Sequence, residues 1–144
     1  MVDTKSHIQL LRQVPLFAKL NEKHLDKLAK RLVKRAYENG QVIITQGKGG
    51  EGLFIIYDGT AEAIRNQPNG EKIVVNEFGE MDYFGELALL DEGLRTASVV
   101  ATSDISCFIL TSWDFKGILR DEPEIAISML EELANRFRRA LETL

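Results

Sequence analysis

The sequence predicts an α+β fold in which helices at both ends enclose a run of short antiparallel strands arranged as a sandwich or barrel. Three observations carry this. Apolar residues recur at helical spacing up to Leu32 and again after Trp113. Between them, short apolar runs alternate with turn residues, as in an all-β body. One segment, Glu86 to Leu90, is apolar without β-branched residues and interrupts the strands, which places a short helix inside the β region. At 144 residues the chain suits a single domain, 1–144, with leading helices over 1–32, a β-roll over 33–111 and C-terminal helices over 113–144.

In the leading segment Ile8, Leu11, Leu25, Leu28, Ala29 and Leu32 share a helical period, and Pro15 divides it into two pieces. Asn21 followed by Glu22 predicts the cap that opens the second helix. The predicted strands contain Val42–Ile44, Leu53–Tyr57, Ala61–Arg65, Ile73–Val75, Ala97–Ala101 and Ile105–Leu110. Asp58-Gly59 and Asn69-Gly70 read as hairpin turns, because both pairs tolerate positive φ. Gly47 to Gly52 spells G-x-G-x-x-G, yet strand formers follow it where a dinucleotide site needs a helix, so it reads as a glycine-rich hairpin loop. At the C-terminal end Pro123 opens a long helix after a short one. Ala126, Leu130, Leu133, Phe137, Ala140 and Leu144 form one apolar seam along it, suited to a partner helix or to the β-roll.

Composition removes several classes of function. A net charge of −4 argues against non-specific binding to DNA or anionic lipid. The basic run Lys27, Lys30, Arg31, Lys34 and Arg35 reads as a solvated helix face running into a strand. Cys107 is the single cysteine, which excludes an internal disulfide, and its apolar neighbours make it a small core residue. His7 and His24 both fall in the leading helices, away from every predicted strand, so no metal site and no Ser/His/Asp catalysis is expected. The N-terminus lacks a continuous apolar stretch, which points to a cytoplasmic protein without a signal peptide or membrane insertion.

The remaining signal is Phe84-Gly85-Glu86-Leu87-Ala88-Leu89, with Arg95-Thr96-Ala97-Ser98-Val99 after it. Backbone N–H groups at a helix start together with one fixed cation suit an anion. A carboxylate beside them would repel a bare phosphate, unless it serves a hydroxyl of the same ligand. The pattern therefore asks for a small sugar phosphate. The plainer alternative is a structural Glu86–Arg95 ion pair, which leaves the small residues Gly85, Ala88 and Ala97 unexplained.

These residues resemble the phosphate-binding cassette, here 84–97, of the cyclic nucleotide-binding domain family, which takes in kinase regulatory subunits, cyclic-nucleotide-gated channels and bacterial regulators of the cyclic-AMP receptor type. The nine-residue step from Glu86 to Arg95 is similar to that of kinase and channel members. Leu10 to Phe17 resembles the family's leading helical motif, and Gly40 to Gly47 its early strands. The resemblance implies an antiparallel β jelly-roll barrel with N-terminal helices, a C-terminal hinge helix and a lid helix. It implies a non-catalytic sensor without a cofactor, whose ligand is cyclic AMP or, as the alternative, cyclic GMP.

Carried over position by position, the resemblance gives Arg95 the exocyclic phosphate oxygens and Glu86 the ribose 2′-hydroxyl. Backbone amides of Leu87, Ala88 and Thr96 or Ala97 complete the cradle, beside Phe84 and Gly85. The base rests on Ala63 and Val75, and Arg136 matches a base-capping arginine of channel members. Thr96 matches a threonine found in members selective for either nucleotide, while Ala140 and Leu141 replace the polar residues with which bacterial receptors read adenine. The expected output is a shift of the final helix against a homodimer partner or an effector protein. The sequence ends at Leu144 without a helix-turn-helix, so no nucleic-acid partner is expected; the alternative is the sensor part of a transcription regulator that lacks its DNA-binding part.

Overall fold

The computed structural model describes residues 4–48, 51–90 and 95–144. Gly49 and Gly50 of the glycine-rich loop, residues 91–94 of the predicted cassette and the side chain of Leu87 lie outside that description. The chain forms two compact units, a helical one built from the chain up to Arg31 together with Trp113–Leu144, and a β unit of Leu32–Ser112.

The β unit has eight described strands: β1 (Val33–Tyr37), β2 (Val42–Ile44), β3 (Gly52–Asp58), β4 (Ala61–Asn66), β5 (Lys72–Phe78), β6 (Tyr83–Phe84), β7 (Ser98–Ala101) and β8 (Ile105–Thr111). They make two four-stranded sheets, in the orders β1-β8-β3-β6 and β2-β7-β4-β5. Their pairings are antiparallel. The expected jelly-roll barrel is therefore corrected: the fold is α+β with two antiparallel sheets and flanking helices, and the sheets do not close on one another. Closure needs edge strands long enough to extend a ladder. Here one edge, β6, has two residues, and another, β2, has three with a shift of register between Val42 and Ile44.

The apolar faces of both sheets contribute to one core. Phe54, Ile56, Phe84, Ile105, Cys107 and Ile109 from the first sheet cluster with Ile44, Ala61, Ala63, Val99 and Ala101 from the second. Burial pushes the Cys107 thiol up to about 12, consistent with a packing role.

The turn signals divide between two uses. Asn69-Gly70 joins β4 to β5, which pair as a hairpin, and Gly70 takes φ +90°. Asp58-Gly59 does not make the hairpin expected of it, because β3 pairs with β6 and β8 while β4 belongs to the other sheet. It carries the chain between sheets, and a side chain at Gly59 would stand 2.5 Å from the Asp104 carbonyl. The glycine-rich loop likewise links β2 to β3 across sheets rather than within a hairpin, and strand β3 follows it, not a helix.

In the helical unit α1 (Thr4–Arg12) precedes a 3₁₀ turn at Pro15–Phe17. Then come α2 (Glu22–Ala29), α3 (Ser112–Asp121) and α4 (Pro123–Glu142). Asn21 caps α2 by accepting from the His24 amide at 2.8 Å. Phe17 meets Phe115 with ring centroids 6.2 Å apart. The Lys27 ammonium pairs with Glu122 at the start of α4. Of the predicted seam on α4, Leu130, Phe137 and Leu144 are exposed, whereas the buried positions are Ile125, Met129 and Glu132. The face that packs is thus rotated from the most continuous apolar stripe.

Candidate functional site

The residues singled out between Phe84 and Ala97 are positioned by the β unit's own backbone. Phe84 is buried in β6, stacked on Phe54 at 5.1 Å and tilted against Phe78 at 5.2 Å. These three rings anchor the strand end from which Gly85 and Glu86 leave. A 3₁₀ turn follows at Glu86–Leu89, and the Ala88 amide donates to the Gly85 carbonyl at 3.1 Å. That amide, expected in the phosphate cradle, thus also closes the turn.

Arg95 is fixed from the opposite side. Its amide donates to the Lys48 carbonyl at 2.9 Å, and its carbonyl accepts from the Gly47 amide at 2.8 Å. The half-buried guanidinium donates from Nη2 to the Gly52 carbonyl at 3.1 Å. Gly85 lies directly against it: with φ +84°, a Cβ there would be 2.7 Å from Arg95 Nη1 and 2.7 Å from the Gly52 carbonyl. The close approach that requires glycine is therefore made by the protein's own arginine.

The electrostatics are unusual for an arginine. Nε of Arg95 is buried and has no hydrogen-bond partner among the described residues. Burial lowers the guanidinium's pKa from its ordinary value, while the charges of Glu86 and Glu51 act in the opposite direction. A buried donor without an acceptor costs roughly 1–3 kcal/mol. An anion arriving at Arg95 would relieve that cost.

Glu86 and Arg95 each line a cavity among the described residues. Glu86 is half-buried and lines a cavity of about 400 Å³ with Gly85, Phe84, Phe78, Asn76 and Asp82. Arg95 lines a smaller one of about 170 Å³ with Lys48, Glu51, Thr45, Ile44 and Phe54. Gly85 joins the two regions, bordering the first cavity and touching the guanidinium.

The other predicted residues distribute unevenly. Ala97 packs on the core, and Thr96 is exposed. Ala63 is buried in β4, opposite Asn76 of β5. Val75 is the extra residue of a bulge, since Ala63 pairs with Asn76 and Ile64 with Val74, and it is exposed. Asn76, not Val75, lines the cavity that Glu86 lines. Nothing in Ile73-Val74-Val75 marks the bulge, because three apolar residues in a row fit either register. Arg136 belongs to the helical unit, where its Nε lies 3.8 Å from Glu132. Among the described residues no group of three His, Cys, Asp or Glu side chains could hold a metal.

Residues 34–122 match the family described as "Cyclic nucleotide-binding domain". The chain belongs to that family. This cyclic nucleotide-binding domain is 32% identical over 126 residues to the cyclic AMP receptor protein of Thermus thermophilus, covering 88% of this chain and 58% of that protein. It is 41% identical over 93 residues to a cAMP-dependent protein kinase regulatory subunit of Mycosarcoma maydis, covering 65% of this chain and 18% of the subunit. Among solved structures, the N-terminal domain of a transcriptional regulator from Streptomyces coelicolor A3(2) superposes with a TM-score of 0.87 at 27% identity, over 94% of this chain and 96% of that one. The domain spans 58% of the receptor and far less of the kinase subunit. By name these relatives are a receptor, a regulatory subunit and a regulator, and the domain stands with regulatory modules rather than catalytic ones. Among the described residues no helix is long and apolar enough to cross a membrane.

Proposed function

We propose that the β unit binds cyclic AMP, with its cyclic phosphate on Arg95 and its ribose 2′-hydroxyl on Glu86. The observation that carries this reading is the buried Arg95 Nε, which has no acceptor among the described residues, on a guanidinium that also donates to a neutral carbonyl. A guanidinium fork suits two phosphate oxygens better than one carbonyl. The half-buried Glu86 carboxylate, which lines a cavity with Gly85, accepts the hydroxyl. Backbone amides of Leu87 and of Thr96 or Ala97 add donors, and Ala63 and Val75 supply apolar surface to the base.

The names of the Thermus and Mycosarcoma relatives support cyclic AMP over cyclic GMP, which remains the second reading because Thr96 is exposed beside Arg95. The signal leaves through α4. Ligand binding shifts that helix only if the nucleotide prefers one of its positions, and Arg136 leaving Glu132 for the base would supply such a preference. The exposed Leu130, Phe137 and Leu144 then offer a surface to a second copy or to an effector.

Thermal unfolding in the presence of each nucleotide tests the reading, since a ligand bound only by the folded state raises the midpoint with concentration. A larger rise with cyclic AMP than with cyclic GMP is expected. No rise with either nucleotide at millimolar concentration refutes it.

A further inference from the structure

We propose that Glu51 is a built-in competitor of the ligand phosphate for Arg95, and that Arg35 holds it back. The inference rests on the proposed phosphate role of Arg95 and concerns how that role is tuned. Glu51 and Arg95 line the same cavity of about 170 Å³. The backbone leaves Glu51 little freedom to move away. Its carbonyl accepts from the Ser112 amide at 2.9 Å, and the carbonyl of the next residue, Gly52, accepts from Arg95 Nη2. Gly52 itself is held in the sheet opposite Thr111 of β8, at a position where a Cβ would stand 2.1 Å from the Leu110 carbonyl.

The Glu51 carboxylate consequently hangs between two guanidinium groups. It is paired with the one on β1, at 2.7 Å from Oε2 to Arg35 Nη1. Tyr37 and Glu51 both act to raise the pKa of Arg35, an always-charged guanidinium that donates from Nη1 to Glu51. At the other guanidinium Glu51 acts only through space, as one of the charges opposing the effect of burial on Arg95. A carboxylate that swung to Arg95 would offer the acceptor oxygens that a phosphate offers. Lys48 lines the same cavity and adds positive charge in either arrangement.

Both members of the Arg35–Glu51 pair are more than one-third exposed, so the effects are screened and modest. Calorimetric titration of the full chain with cyclic AMP at low and at physiological salt tests the proposal. Glu51→Gln should bind roughly two- to fivefold tighter, and Arg35→Gln weaker by a similar factor. The double variant should match Glu51→Gln, because without the acid Arg35 has nothing to restrain. Both shifts should shrink at the higher salt. Unchanged or weaker binding in Glu51→Gln overturns the proposal, as does an Arg35→Gln defect that persists in the double variant. Arg95→Ala separates the two levels. If it abolishes binding while Glu51→Gln changes nothing, only the competitor fails; if it leaves affinity intact, the phosphate assignment falls and the competitor with it.

Discussion

Arg95 in the β unit and the Lys27–Glu122 contact in the helical unit hold charge in contrasting ways. In the β unit, Arg95 is drawn into the protein with its backbone clamped at both ends, and its guanidinium is pressed against a glycine. In the helical unit, Lys27–Glu122 and Lys30–Asp26, the latter at 3.0 Å, instead bridge partly exposed side chains. Pairs of that second kind are screened by solvent and can exchange partners at small cost. A preorganised cation belongs where a ligand must be recognised, and exchangeable pairs belong where a helix must be free to move. The difference suits the proposed division of labour, with recognition at Arg95 and output through α4.

Removing the clamped cation should give the largest effect. Arg95→Ala is expected to weaken cyclic AMP binding by about ten- to a hundredfold or more, the loss of a charge-assisted contact worth roughly 1.5–3 kcal/mol. Calorimetry reads the change, and circular dichroism should report an intact β unit. Gly85→Ala comes next. The added methyl meets Arg95 Nη1 and the Gly52 carbonyl on a backbone at φ +84°, so about 1–3 kcal/mol of stability should be lost together with affinity. A denaturant midpoint equal to that of the parent protein would mean that the guanidinium is not pressed there.

Smaller effects probe the contrast further. Glu86→Gln keeps shape but loses the charged acceptor, and should cost about tenfold in affinity by titration. In the helical unit, Glu122 is held below the usual carboxylate range, chiefly by its hydrogen bond to Lys27. A depressed carboxylate stabilises the fold above its unfolded value near 4.3 and loses that contribution as pH falls through the folded value. Urea unfolding from pH 6 down to pH 3 should therefore show a shallower loss of stability for Glu122→Gln than for the parent. The smallest signal is expected from Cys107, whose buried thiol, pushed up to about 12, should resist alkylation at pH 8 until the β unit opens.

Much of the fold was legible because local chemistry decides it. The Asn21 cap, the Pro123 helix start and the strand around Cys107 each need only their neighbours, and each stands where the periodicity placed it. The family was legible from Phe84 to Val99, as the match over 34–122 shows. Sheet partners were not. Asp58-Gly59 carries a hairpin signature, yet the strands on either side pair elsewhere, because hydrogen bonds to β8 and β7 lie far away in sequence. The open edges of the two sheets, the bulge at Val75 and the buried face of α4 follow from the same cause: they depend on partners that no local pattern names.

By itself, then, the sequence determined residue chemistry and local conformation: a glycine where φ must be positive, an arginine and a glutamate at a set spacing, caps and turns at element ends. Only the tertiary structure decided that Gly85 makes room for Arg95, that Glu51 and Arg95 share a cavity, and that Asn76 and Glu86 share another. These are meetings between residues distant along the chain. They depend on which strands pair and in what register, a choice settled by burying the whole core at once rather than by any short stretch of residues.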